Sequence, residues 1–214
     1  MPTLQDLEMS KAFEEHFERK RADFLSDYGL KHKPAIVWQV CPTSAMTVDI
    51  HDHAVVDALI GGSLNDTGEG WWKGFLGGTA TRVFGGVASC SPEQLDGAVT
   101  EIHEDGHFLA GFWKFGHVGE TVGALNFFHK AFVDALEAAR FVHDAAGYSG
   151  EAMVGCTMLH ADEVPLLTTR GSVSRPPPSR RDFHWPLQTM RHGSSAALGA
   201  AMGAQFLRIY GLKP

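Results

Sequence analysis

Residues 101–115, EIHEDGHFLAGFWKF, predict a β-hairpin and thereby decide the fold class. Asp105-Gly106 is the strongest kind of short-range hairpin signal, and both flanks are rich in strand-forming residues. Outward from this hairpin, further strands are expected at 34–41, 46–50, 79–89 and 151–159. Strands that are grouped between helices, with a hairpin among them, predict an α+β fold with a mainly antiparallel sheet.

Helical periodicity surrounds these strands. An amphipathic pattern over residues 3–28 predicts an N-terminal helix, and a second one over 120–146 predicts the long central helix of the domain. A short helix is expected at 52–60 and a C-terminal helix at 194–210. Gly199 and Gly203, which stand among alanines in that last helix, permit very close packing against another helix.

The sequence divides into three parts. Residues 1–169 form the α+β core domain, residues 170–190 a Pro/Arg-rich linker, and residues 191–214 a C-terminal helix that packs on the core or on a partner subunit. The linker begins with RGSVSRPPPSRR (170–181), whose proline run favours an extended chain. Because closed symmetric assemblies are common, the small-residue helix surface also predicts a homo-oligomer.

Charge is distributed unevenly along the chain. Residues 1–163 carry 11 basic and 24 acidic residues, whereas residues 164–214 carry 7 basic residues and one acid. The basic interaction segment consists of Arg170, Arg175, Arg180 and Arg181. An acidic body beside a basic segment favours docking of that segment on the acidic body of its own or a neighbouring subunit, so a protein partner is possible and nucleic-acid binding by this chain alone is not expected.

Cysteine content and hydropathy bear on the compartment. Cys41, Cys90 and Cys156 are odd in number and widely spaced, which argues against a disulfide scaffold and indicates a reducing cytoplasm. Residues 1–20 are acidic and lack the apolar stretch of an export signal. The apolar stretch 196–210 is too short to cross a bilayer, so no membrane association is expected.

His51-Asp52-His53 is a candidate metal motif. If residues 46–53 are extended, alternation puts His51 and His53 on one strand face, where two imidazoles can begin a zinc, iron or manganese site. A third ligand must come from elsewhere, and His103, His107 and His117 are candidates. In the alternative interpretation, this is a solvated strand end where Asp52 caps the next helix. If the segment is a solvated strand end, no cofactor is predicted. If the histidines bind a metal, the cofactor is a divalent transition metal.

Two further patterns have less specific chemistry. Residues 103–107 match the letters H-E-x-x-H, but that zinc motif requires a helix and the Asp-Gly spacer favours a hairpin tip. Trp71, Trp72 and Trp113 could stack on a ligand, although tryptophan more often anchors a core or a loop.

The segment FVHDAAGYSGEAMVGCTML (141–159), together with the hairpin at 101–115, resembles the C-terminal region of bacterial Schlafen-like DNA-binding proteins. The resemblance covers about a quarter of the chain, and the DNA-binding domain of that family is not recognisable here. It implies a bacterial regulatory or defence-linked accessory module, and it transfers no functional residue.

Three functions follow as expectations. The first is a non-catalytic accessory or interaction module that self-associates. The second is a metal-dependent hydrolase or oxygenase that uses His51 and His53, with His103 as a further ligand. The third is a small-ligand sensor with a pocket lined by tryptophan.

Overall fold

The computed structural model describes residues 4–61, 79–90, 97–113, 123–167, 174–175 and 178–213. A seven-stranded sheet with the order β10-β7-β1-β5-β4-β3-β2 forms its centre, and every pairing within it is antiparallel. Three very short strands form a second sheet with the order β6-β8-β9. The predicted α+β class with a mainly antiparallel sheet is confirmed.

The elements follow in chain order. The helices are α1 (Leu4–Asp27), α2 (His53–Leu59), α3 (Leu125–Ala145) and α4 (Ser195–Ile209), with a 3₁₀ turn at Ala161–Glu163. The strands are β1 (Ala35–Pro42), β2 (Thr79–Val83), β3 (Gly86–Cys90), β4 (Ala98–His103), β5 (Phe108–Phe112), β6 (Gly123–Ala124), β7 (Ala152–Leu159), β8 (Leu166–Leu167), β9 (Ser174–Arg175) and β10 (Phe183–Met190).

The two faces of the large sheet differ in composition. On one face, Ile36, Trp38 and Val40 join the main hydrophobic core with α2, α3 and α4. On the other face, Ala35 and Val37 pack against α1 in a smaller cluster. Because side chains alternate along a strand, the next residues that point toward α1 are polar or reactive, namely Gln39 and Cys41.

Two strand predictions are wrong. Residues 46–50 are irregular and form no strand. Val48 and Ile50 are buried in the core, and the Val48 N–H donates to the Glu104 carbonyl outside the strand pairings of the sheets. Residues 79–89 form two strands instead of one bent strand. Gly85 has φ +63°, so a tight turn connects Val83 to its partner Gly86.

Strand β10 was missed because it lies within the segment 170–190 predicted as linker. It contains Pro186, which cannot donate to a ladder and therefore suits only an edge strand or a bulge. Both conditions hold: β10 is the edge of the sheet, and its register with β7 shifts between Trp185 and Gln188.

The small-residue surface of the C-terminal helix is used inside the chain. A Cβ atom at Gly199 would lie 2.6 Å from Val133 Cα and 2.8 Å from the Phe132 carbonyl oxygen, so α4 is in close contact with α3. Of the two predicted contacts for Gly199, core or partner subunit, the structure shows the core. Within the described residues, no helix is long and apolar enough to cross a membrane.

Candidate metal centre

A cysteine and two histidines meet between α1 and the sheet. His16 comes from α1, Cys41 from β1, and His107 directly precedes β5. One ligand atom from each lies within 4.8 Å of the other two. Ligands of a tetrahedral zinc ion are about 3.3–3.8 Å apart at bond lengths of about 2.0–2.3 Å. Side-chain movements of about 1 Å would therefore bring these three atoms to zinc geometry.

Sheet pairing brings two of the three ligands together. Val40 pairs with Phe108 on the adjacent antiparallel strands β1 and β5, so Cys41 and His107 follow side by side. Both lie on the face that α1 covers, because Leu109 and Val37 on that face belong to the cluster beneath the helix. The third ligand depends entirely on the position of α1.

His107 has a free ring nitrogen in a buried position. Its side chain is fully buried, and within the described part of the chain its Nδ1 has no hydrogen-bond partner. The Gln39 amide nitrogen donates to the Phe17 carbonyl at 3.0 Å and lies 3.2 Å from His107 Nε2, which makes Nε2 the acceptor. Burial holds the pKa of His107 well below its usual value, so the ring is neutral. With Nε2 as the acceptor, Nδ1 carries the proton of the neutral ring, so a metal ion at Nδ1 would require that proton to move to Nε2 and the Gln39 side-chain amide to turn.

The state of Cys41 favours a metal ligand over a nucleophile. Burial raises the pKa of its thiol to about 12, and the charge of Asp105 adds to the effect. A cysteine nucleophile needs a lowered pKa, because the thiolate is the reactive form. A bound metal ion replaces the thiol proton directly, which is how cysteines with a raised pKa can still serve as ligands.

Asp105 adjoins both histidines. Its Oδ1 accepts the His107 backbone N–H at 3.0 Å, while its Oδ2 lies 3.3 Å from Lys20 Nζ and 3.4 Å from His16 Nε2. Burial would raise the pKa of Asp105, but the His107 N–H and the Lys20 charge outweigh it and the pKa is lowered. Arg19 donates to the other ring nitrogen of His16, Nδ1, at 2.9 Å, so His16 would have to give up one of these two contacts to bind a metal ion.

A groove with a volume of about 610 Å³ opens beside the centre, and Lys20 and Asp105 belong to its lining. Glu101 on its sheet side is 3% exposed; it accepts the Tyr28 hydroxyl at 2.5 Å and lies 3.0 Å from His103 Nε2. Phe84, at the turn between β2 and β3, is 99% exposed on the rim.

The predicted metal pair, His51 and His53, does not lie on a common strand face. His51 and His53 are exposed, and the strand supposed to align them is absent. Instead, Asp52 caps α2 by accepting the Ala54 N–H at 2.8 Å, as in the alternative interpretation, and His51 contacts Arg82. Within the described residues, neither belongs to a group that could hold a metal.

The remaining predicted residues fall in several places. His103 is buried against Glu101, and its backbone N–H donates to the His107 carbonyl at 3.0 Å. Trp113 stacks on Tyr28 with ring centroids 6.0 Å apart. Trp71, Trp72 and His117 lie outside the described residues.

The basic interaction segment is partly described. Arg180 lies over the Phe183 ring at 5.5 Å, and Arg181 contacts the ring of His160. Arg175 belongs to β9, and Arg170 lies outside the described residues. Arg180 and Arg181 therefore contact their own chain.

Sequence reasoning found parts of the centre separately. His107 was one of the candidates for a third ligand, and Cys41 ends a strand that the sequence predicts as buried. His16 carried no signal, because a histidine on an amphipathic helix is ordinary. No spacing motif could connect the three, since they are far apart in sequence and only the packing of α1 on the sheet joins them.

Comparisons with protein-family models, with curated proteins and with solved structures gave no match. The resemblance of residues 101–159 to the Schlafen-like proteins stays a prediction.

Proposed function

We propose that this chain is a transition-metal-binding module whose ion is held by His16, Cys41 and His107. The observation that carries the proposal is the meeting of one thiol and two imidazoles within 4.8 Å, drawn from three separate elements. The buried, unpartnered Nδ1 of His107 supports it, because leaving such a group without a partner costs about 1–3 kcal/mol.

The ligand set selects the class of metal. Thiolate and imidazole favour zinc and its first-row neighbours, whereas magnesium and calcium require oxygen ligands. Three protein ligands leave a fourth tetrahedral position for water or for a ligand molecule. We therefore retain the metal-dependent alternative that the sequence suggested, but we assign the ion to His16, Cys41 and His107 instead of His51 and His53.

Two uses of the ion remain as proposals. A structural ion suits the non-catalytic accessory module, since such a module needs no substrate. An ion with an open position suits a hydrolase, because it makes bound water acidic enough to attack near neutral pH. The groove beside Lys20 and Asp105 supports the second use, since it offers room for a small molecule near the ion.

Metal titration of the purified chain tests the binding. Zinc and cobalt(II) are added to chelator-treated protein, and stoichiometry and affinity are measured by calorimetry. One ion per chain is expected, with the near-ultraviolet absorption of a thiolate–cobalt bond. Replacing the cysteine ligand, Cys41→Ala, should abolish that absorption and weaken binding by more than the roughly 10–100-fold that outer-shell partners contribute.

Cys156→Ala is the matched control. Cys156 is also buried, and burial also raises its thiol pKa, but it belongs to the core on the opposite face of the sheet. This variant should bind cobalt with unchanged stoichiometry and absorption. Absence of binding to the parent chain, or equal losses in both cysteine variants, would refute the proposed function.

A further inference from the structure

We propose, resting on the metal-binding function above, that the ion controls the docking of α1 on the sheet. Only one ligand, His16, belongs to the helix, while Cys41 and His107 sit side by side on adjacent strands. An ion at this centre would therefore tie the helix to the sheet. Metal-free protein would release α1 more readily.

Helix α1 is anchored by few apolar contacts. Of the 17 residues 11–27, only Phe17, Phe24 and Leu25 are buried, whereas all eight residues of β1 are buried. Local stability follows buried apolar contact, so a helix with so few anchors belongs to the part of a fold that opens first.

The middle of the interface is polar. Between Phe17 and Phe24, the helix faces the sheet with Lys20 and Arg21; Lys20 pairs with Asp105, and Arg21 donates to the Thr157 hydroxyl at 2.7 Å. Beneath them lie buried polar sheet residues, among them Gln39, Thr157, Glu101 and His107. Water can hydrate all these groups when the helix leaves, so they favour docking less than apolar groups would and hold the helix only weakly.

Metal binding acts on this balance by mass action. An ion that gains its third ligand only in the docked form binds that form more tightly, and free ion at 100 times the dissociation constant of the docked form favours it by up to about 100-fold. Release of α1 would uncover the apolar sheet face that includes Val37, Val99 and Leu109. The metal would thus decide whether that face is covered.

Hydrogen exchange of the full chain tests this mechanism. Backbone amides of residues 11–27 are followed with saturating zinc and with chelator, and trypsin cleavage at Arg19, Lys20 and Arg21 is followed in parallel. We expect zinc to slow exchange and cleavage in α1 by about 100-fold at 100 times the dissociation constant. Amides of α3 and β7 should change much less, because a local release does not open the main core.

The variant His16→Ala separates docking from binding. It removes the helix ligand and leaves Cys41 and His107, so zinc at saturation should bind without protecting α1. The control His32→Ala removes an exposed histidine outside the cluster and should keep both effects.

Each outcome decides the matter. Zinc that binds the parent chain with one ion but leaves α1 exchange unchanged would overturn this inference and leave the proposed function standing. Zinc that still protects α1 in the His16→Ala variant, while bound, would overturn it as well. A parent chain that binds no zinc would overturn both proposals.

Discussion

Oδ2 of Asp105 lies 3.4 Å from Nε2 of His16, so a carboxylate from the hairpin turn faces the ring of the helix ligand. The same carboxylate accepts the His107 backbone N–H, and it therefore contacts two of the three proposed ligands. Its position in the Asp105-Gly106 turn connects the hairpin that decides the fold with the chemistry of the centre.

Asp105→Asn is expected to lower zinc affinity by about 10–100-fold, because the His16 ring loses its charged partner and the His107 backbone N–H loses a charged acceptor. Calorimetry on the chelator-treated chain measures the change. Asp49→Asn is a matched control, since Asp49 accepts the backbone N–H of His51 at 2.9 Å with the same i to i+2 spacing but lies outside the cluster. Equal affinity in both variants would remove Asp105 from the site.

His143 is expected to make the protein sensitive to acid. Burial lowers its pKa to about 4 from 6.5, and Arg140 adds to this, whereas its hydrogen bond to the Gly106 carbonyl and the charge of Asp144 act in the opposite direction. The unfolded chain binds a proton near pH 6.5 and the folded chain does not, so stability falls as pH decreases from about 6.5 toward 4.

The size of this effect can be measured against a neutral variant. Between pH 7 and pH 5, His143 alone should cost about 2 kcal/mol of unfolding free energy, at about 1.36 kcal/mol for each unit. His143→Gln keeps a hydrogen-bond donor for the Gly106 carbonyl. In urea titrations, its free energy of unfolding should fall by about 2 kcal/mol less than that of the parent chain between pH 7 and pH 5. An identical pH dependence in both proteins would show that His143 does not remain neutral in the fold.

Gly199→Leu is expected to destabilise the chain by at least about 1–3 kcal/mol, the usual cost of overpacking. The close contacts of this position with Val133 and Phe132 leave no room for a side chain. Ala197→Leu, at an exposed position of the same helix, should change stability little. Thermal or urea unfolding compares the two variants, and equal stability would mean that α4 packs differently on α3.

Sequence patterns predicted the elements whose signal is local. The Asp105-Gly106 turn and the β1 run are specified by residues adjacent in the chain, and both formed where expected. The prediction at 46–50 was wrong because alternation reports which side is buried and does not report whether a strand partner exists. Pro186 concealed β10 for a similar reason, since only the finished sheet shows that this strand is an edge.

The candidate centre could be predicted only in fragments. The closeness of two histidines in sequence led to the metal hypothesis at His51 and His53. However, Asp52 between them caps α2, and the strand that would align the two rings is absent. His16 and Cys41 are brought together by the packing of α1 across β1, and no local pattern encodes that packing. Spacing motifs therefore find sites within one element and miss sites assembled from three.

Gly106→Ala tests whether the hairpin turn sets the geometry of the centre. Gly106 has φ +78°, and a Cβ atom there would lie 2.6 Å from Met46 Sδ and 2.8 Å from Pro42 Cγ. The variant carries a left-handed backbone cost of about 1–2 kcal/mol, and either the turn between Asp105 and His107 or the side chains of Met46 and Pro42 must shift. We therefore expect lower stability together with weaker zinc binding.

Gly147→Ala supplies the comparison for that variant. Gly147 has nearly the same φ, +76°, but a Cβ atom there would meet nothing within 4 Å, and the residue follows α3 away from the cluster. Its free energy of unfolding, measured with urea, should fall by a similar backbone cost. Its zinc affinity, measured by calorimetry, should be unchanged. Equal zinc affinity in the two alanine variants would show that the turn tolerates the displacement, and that the ligand positions are set by β1 and α1 instead.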